Sequence, residues 1–230
     1  MEKDNEKLQV FISYQTTDKE VATKLKEMLV EFGVEVFLSA EDIETSAKWN
    51  DVILESLKSS SVFFCLLSKN YVKSPFCMQE SGVVAFLEKT EGRDVVPLSI
   101  DGTVPSGFLF GFQAGRINPA EFSFEDVAPK TLTYSRDRWV ELLIERLGNS
   151  YSFNNAKANF KLILPYLDKL TKEQVELFYE KIITNKDEHF HKNQITNDSD
   201  CKYEYIPKFI EVCGSLLNES EIETLKSEIS

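Results

Sequence analysis

The segment from Ser74 to Glu88, SPFCMQESGVVAFLE, places one carboxylate, Glu80, in the opening turns of a helix that is otherwise mostly apolar. Ser74 suits the N-cap and Pro75 the first helical position, where its missing N–H goes unused anyway. Helical spacing groups Phe76, Val83, Phe86 and Leu87 as a buried stripe, and Glu80, four residues after Phe76, falls on that face near the helix start. A carboxylate there can line a cleft and do chemistry. An isolated glutamate is usually only a solvated helix residue, so the surrounding elements decide between the two.

Strand-like and helix-like runs alternate through the first 150 residues, the pattern of a mostly parallel sheet with helices on both faces. VFISY at 10–14 is a short β-rich run, and 18–32 follows as an amphipathic helix with Val21, Ala22, Leu25, Met28, Leu29 and Phe32 at spacings of three and four, closed by Gly33. VEVFLS at 34–39 is the next strand. The acidic loop 40–48 leads to Trp49 and a helix ending near Ser60, and VFFCLL at 62–67 is apolar on both faces, as a central parallel strand should be. After the Glu80 helix, DVVPLSI at 94–100 tolerates Pro97 only near an edge or an irregularity. Residues 102–115 read as a loop with one short helical turn, Arg116 and Ile117 as a brief fifth strand, and 135–147 as a helix with Trp139, Leu142, Leu143 and Leu147 inward.

Beyond Asn154 the pattern is helical only. The spacing predicts a helix over 158–170 kinked at Pro165, a second one capped by Thr171 and Gln174, a polar and mobile stretch within 185–200, and helical segments over 206–217 and 219–229. The domains are therefore placed at 8–148 and 154–230, the latter a small helical module.

With 230 residues, 42% of them hydrophobic, and a net charge of -12, the chain is expected to be soluble and cytoplasmic, and it lacks the basic stripe that nucleic acid requires. No apolar run reaches the ~20 residues of a membrane span, and no apolar signal region follows the charged N-terminus. Cys65, Cys77, Cys201 and Cys213 have no paired spacing, which argues against disulfides and structural zinc. His189 and His191, with Cys201 ten residues on, supply too few ligands at too loose a spacing for a metal.

VFISY, VEVFLS, the Trp49 helix, FFCLLSKNYVKSPFCMQE at 63–80 and VVPLSID at 95–101, in that order, resemble a TIR domain over residues 8–148. The resemblance implies an α/β, flavodoxin-like TIR fold with a five-stranded parallel sheet, here followed by a small all-α module. Many TIR domains cleave NAD+ at the nicotinamide–ribose bond with a glutamate at the position of Glu80, in a motif that reads Phe76-Cys-Met-Gln-Glu80 in this chain. One carboxylate suffices for this, because nicotinamide is already a pyridinium and leaves neutral, whereas ordinary glycoside hydrolysis needs two. The resemblance also places Tyr14, Gln15, Thr16, Ser39, Trp49 and Phe76 around the substrate, with no metal and no cofactor beyond NAD+ as substrate. Relatives often carry basic residues where this chain has Gln15 and Thr16.

The activity so implied is an NAD+ nucleosidase giving nicotinamide and ADP-ribose or a cyclic or conjugated derivative, in Thoeris-like bacterial antiphage defence. TIR–TIR self-association, through the loop 40–48, and a separately encoded effector that responds to the product are the implied partners. The alternative is a non-catalytic TIR interaction module or a virulence mimic of host adaptors. A weaker third reading is a domain that binds a nucleotide signal without cleaving it.

Overall fold

Five short runs rich in β-branched and aromatic residues become strands β1 (Gln9–Ser13), β2 (Glu35–Leu38), β3 (Val62–Leu67), β4 (Asp94–Ser99) and β5 (Gly115–Arg116). All pair in parallel, in the order β2-β1-β3-β4-β5. The computed structural model describes residues 8–39, 49–128, 132–185 and 192–230, without the side chains of residues 49 and 50. The acidic loop 40–48 and both histidines lie outside the described residues.

Helices α1 (Lys19–Glu31), α2 (Trp49–Ser59) and α3 (Pro75–Glu91) make the crossovers. The chain steps one way along the sheet from β1 to β2 and the other way from β2 to β3 to β4. Right-handed crossovers then put α1 on one face and α2 and α3 on the other. Strand pleat sorts the side chains accordingly. Phe11, Phe63, Cys65 and Leu67 join Ile53 and Leu57 of α2 and Cys77, Val84 and Leu87 of α3 in one apolar cluster. Ser13, two residues after Phe11, faces the same side. The reversal of direction lies between β1 and β3, and in open α/β sheets the crevice at the carboxyl ends of such strands is where ligands bind.

Pro97 fits its strand because β5 pairs only with Leu98 and Ser99, leaving the start of β4 an edge on that side. The fifth strand begins at Gly115, one residue earlier than expected. A four-residue helix, α4 (Phe124–Val127), was not anticipated, although Ser123 and Asp126 form a capping box around its start.

By contacts the chain divides into two compact units, Met1–Arg138 and Trp139–Ser230. The division falls within helix α5 (Arg136–Gly148). The second unit contains α6 (Phe153–Ile163), α7 (Lys172–Thr184), α8 (Ile206–Cys213) and α9 (Glu219–Glu228) around a cluster in which Phe160, Phe178, Phe209 and Tyr205 have neighbouring ring centroids 4.6–5.6 Å apart. The expected kinked helix over 158–170 is instead α6 followed by a 3-10 segment, Leu164–Lys169. Ser152 starts α6 by accepting from the Asn155 N–H, and the missing N–H of Pro165 changes the winding near the start of the 3-10 segment. The Thr171–Gln174 capping box is as expected. The stretch from Asn193 is pinned, in contrast to the mobility expected of it: the Asn193 side-chain oxygen accepts from the N–H groups of Ile195 and Thr196 at 2.8 and 2.9 Å, and its amide donates to the Ile182 carbonyl at 2.6 Å. Among the described residues, no helix is long and apolar enough to cross a membrane.

One buried carboxylate locks the amino end of β4. Asp94 accepts from the N–H groups of Thr133, Tyr134 and Ser135 at 2.8, 3.3 and 2.9 Å and from the Ser135 hydroxyl at 2.5 Å. Asp94→Ala is expected to destabilise the protein by about 3 kcal/mol, because several donors lose one charged acceptor together. Urea unfolding measures this, and a loss below about 0.5 kcal/mol, typical of an ordinary surface position, would refute the lock.

Candidate functional site

Helix α3 starts where its sequence directs. The Ser74 hydroxyl accepts from the Cys77 N–H at 3.4 Å, Pro75 occupies the first turn, and Gly92, at φ 70°, ends the helix in the left-handed conformation that glycine tolerates. Its inward stripe differs from the expected one. Cys77, Glu80, Ser81, Val84 and Leu87 are buried, while Phe76 and Phe86 point outward, 55% and 63% exposed. Assigning the stripe by its largest apolar residues rotated the helix by part of a turn, because the true inner face carries a thiol, a carboxyl and a hydroxyl.

This phase drives Glu80 inside, with only 7% of its surface exposed. Its Oε2 accepts a short hydrogen bond, 2.5 Å, from the hydroxyl of Ser13 at the carboxyl end of β1. The hydroxyl of Ser39, just past β2, also favours the charged form of this carboxyl. Ser13 also lies 2.9 Å from the hydroxyl of Tyr71, which is 3.0 Å from that of Ser81. Tyr71 belongs to a 3-10 turn, Tyr71–Lys73, held through its N–H by the Ser68 hydroxyl, which itself donates to Asp18 at 2.6 Å. Desolvation pushes the Glu80 carboxyl up to about 7, and the two serine hydroxyls offset only part of that burial. Burial likewise pushes the Cys65 and Cys77 thiols up to about 12 and about 11, so neither is a reactive thiolate at neutral pH.

Glu80 opens on a cavity of about 250 Å³ lined by Ile53, Leu54 and Leu57 of α2 and by Phe76, Gln79 and Val83 of α3. Sites for whole small-molecule ligands usually span about 300–1,000 Å³, so this one suits a ring and a sugar better than a complete dinucleotide. A larger space, about 570 Å³, lies along another side of α3 between Phe86 and the 107–112 loop. Its ionisable lining is Glu88 and Lys89, paired with each other at 3.2 Å.

Of the residues expected around the substrate, the structure brings Ser39 and Phe76 to Glu80. Tyr14 is buried, its carbonyl accepting from the Cys77 thiol at 3.5 Å. Gln15 folds back on its own turn, its side-chain oxygen accepting from the Thr17 N–H at 2.6 Å and the Thr17 hydroxyl at 2.5 Å, and Thr16 is exposed. Trp49 opens α2, but its side chain lies outside the described residues. Sequence reasoning missed Ser13, Tyr71 and Ser81. Pleat parity from Phe11 would have directed Ser13 inward, but nothing in the linear pattern joins a tyrosine at 71 to a strand ending at 13.

Residues 10–133 match the family described as TIR domain. Among solved structures, the TIR domain of the Toll-related receptor TRR-2 from Hydra magnipapillata is 18% identical over 58% of this chain and 96% of its own, with a TM-score of 0.41. The TIR domains of the activated Roq1 resistosome directly recognizing the pathogen effector XopQ are 14% identical over 91% of this chain and 99% of their own, with a TM-score of 0.39. No curated protein matches the sequence significantly.

A buried carboxyl with a raised pKa favours the folded state most when it is protonated. Its contribution is full below the ordinary carboxylate range and is lost as pH rises through about 7. Glu80→Gln, which cannot ionise, is therefore expected to stabilise the protein at about pH 8 by on the order of 3 kcal/mol more than at about pH 4. Denaturant unfolding at the two pH values tests this, and an equal effect at both would show that the buried charge carries no penalty.

Proposed function

The chain belongs to the TIR domain family, and from that premise we propose that it is an NAD+ nucleosidase with Glu80 as its catalytic carboxylate. The observation that carries this reading is the position of Glu80: buried at the carboxyl edge of the sheet, beside the topological switch, facing a cavity, with no cation among its described bonding partners.

The chemistry follows from that environment. The bond between the ribose C1′ and the pyridinium nitrogen breaks, the electron pair goes to nitrogen, and nicotinamide departs neutral. Positive charge then develops on C1′ and the ring oxygen, where a preorganised negative charge in a poorly solvated site is worth most. Water, or a hydroxyl of the same or another nucleotide, bonds to C1′ and gives up its proton to the Glu80 carboxylate or to solvent, giving ADP-ribose or a cyclic or conjugated form. No acid has to protonate the leaving group. Phe76 and the aliphatic residues of α2 offer an apolar wall for the nicotinamide ring, and the Trp49 indole and Ser39 hydroxyl complete the proposed contacts. Tyr14, Gln15 and Thr16 stand at the neighbouring strand end as the proposed approach for the remainder of the dinucleotide. Cytoplasmic antiphage defence, TIR–TIR association during catalysis and an effector that responds to the product belong to the same reading.

Two measurements test it. Concentrated protein incubated with NAD+ should release nicotinamide, detected by chromatography, and Glu80→Gln should reduce release by at least about a thousandfold, the scale of losing a principal electrostatic stabiliser. Undiminished turnover in that variant would eliminate the assignment. The pH dependence has a definite sign. The value of kcat/KM should rise about tenfold per pH unit up to about 7 and then level, as Glu80 ionises in the free protein. The limb in kcat should lie at lower pH, because a bound pyridinium favours the carboxylate. Coincident limbs in the two profiles would mean that the cation does not sit beside Glu80.

A further inference from the structure

We propose that Ser13, Tyr71 and Ser81 form a hydroxyl chain that reverses its donor direction when Glu80 gains or loses a proton, making Ser13 and Tyr71 positioning residues for that carboxyl. The contacts run without a gap: Glu80 Oε2 to Ser13 Oγ at 2.5 Å, Ser13 Oγ to Tyr71 Oη at 2.9 Å, Tyr71 Oη to Ser81 Oγ at 3.0 Å, and Ser81 Oγ to the Cys77 carbonyl at 2.8 Å. Ser13, Tyr71 and Ser81 are at most 1% exposed, so each proton must find its acceptor within the chain.

Four contacts have four protons when Glu80 is protonated toward Ser13 and three when it is ionised. Each hydroxyl has one proton to give. With Glu80 protonated, it donates to Ser13, Ser13 to Tyr71, Tyr71 to Ser81, and Ser81 to the Cys77 carbonyl. With Glu80 ionised, Ser13 must donate to the carboxylate, so Tyr71 donates to Ser13 and Ser81 to Tyr71, while the Cys77 carbonyl keeps its bond within the helix. The ionised chain must leave one contact without a proton, and the one at the Cys77 carbonyl costs least, because that oxygen also accepts within helix α3, whereas a gap nearer Glu80 leaves Ser13 or Tyr71 with one donor fewer. The neutral Cys65 thiol beside Tyr71 can donate to the phenolic oxygen in either arrangement.

The groups facing Glu80 leave this chain as its principal control. The sheet supplies Ser13, Ser39 and Cys65; the 3-10 turn supplies Tyr71; α3 itself supplies Cys77, with Asp18 beyond it; and α2 presents Ile53, Leu54 and Leu57. Hydrogen bonds to an ionised acceptor are roughly twice as strong as neutral ones and polarise the donors behind them. The chain therefore favours the carboxylate and fixes the direction of Oε2. Its value for turnover rests on the nucleosidase reading, but the chain itself does not.

The test is a carboxyl titration followed by NMR on the full chain carrying ¹³C-labelled glutamate, with the Glu80 signal identified by its loss in Glu80→Gln. Ser13→Ala should raise the Glu80 midpoint by at least about half a pH unit, and Tyr71→Phe should raise it by less. Ser81→Ala should move it least, and Ser13→Thr, which keeps the hydroxyl, should restore it. Midpoints unchanged in both Ser13→Ala and Tyr71→Phe would overturn the chain, whatever those variants do to stability. If NAD+ is cleaved, the acid limb of kcat/KM should follow the NMR midpoints. Shifted midpoints in a protein that cleaves no NAD+ would uphold the chain and defeat the nucleosidase reading.

Discussion

Everything at the site depends on the pleat of β1. Successive side chains of a strand alternate between faces, so the residue that anchors the core, Phe11, and the residue that meets the buried acid, Ser13, project to the same side. The core between the sheet and helices α2 and α3 and the setting of Glu80 are thus one construction. A one-residue slip of β1 against β3, now paired Phe11 to Phe63 and Ser13 to Cys65, would turn both away from α3 together.

The choice of partners for the buried acid follows from electrostatics. An arginine or lysine beside Glu80 would offset its desolvation more fully than two hydroxyls do, and would hold the pKa down. It would also neutralise the carboxylate and repel a cationic ligand. Hydroxyls stabilise the charge without cancelling it, so Glu80 stays only partly compensated, as its raised pKa records. The fold tolerates a poorly solvated negative charge at one point of its core. Such a cost to stability is common where a site must interact strongly with something absent from the free protein.

How far the sequence disclosed this varied with the range of the interactions. The alternation of strands and helices, the run VFFCLL as the central strand, and the caps at Ser74 and Thr171 are local patterns, and the structure contains them. Glu80 was legible because its helix start was. Its hydroxyl neighbours Ser13 and Ser39, and Tyr71 behind Ser13, come from three separate segments brought together by the parallel sheet, and no local period reports that. The rotation of α3 was misjudged for a related reason. Phe76 and Phe86 look like core by type, yet the space beside β1 and β3 is taken by Cys77, Ser81 and Val84. Between 158 and 170, Pro165 was expected to kink a helix, and the chain instead passes into 3-10 winding.

The turn after β1 sharpens what the cavity can select. A diphosphate approaching there would look for free backbone N–H groups at a helix start. Gln15 already occupies the Thr17 N–H with its own side chain, and the next acidic group, Asp18, is fixed by the Ser68 hydroxyl. Asn70 ties the same turn down from the other side, its amide donating to the Thr17 hydroxyl at 3.0 Å. The turn is therefore closed upon itself and bears a carboxylate, in a chain whose net charge is -12. The turn thus offers little to an anionic group, whereas an ionised Glu80 would favour a cation. Under the proposed nucleosidase reading, the cationic end of the dinucleotide is therefore the one that would meet Glu80.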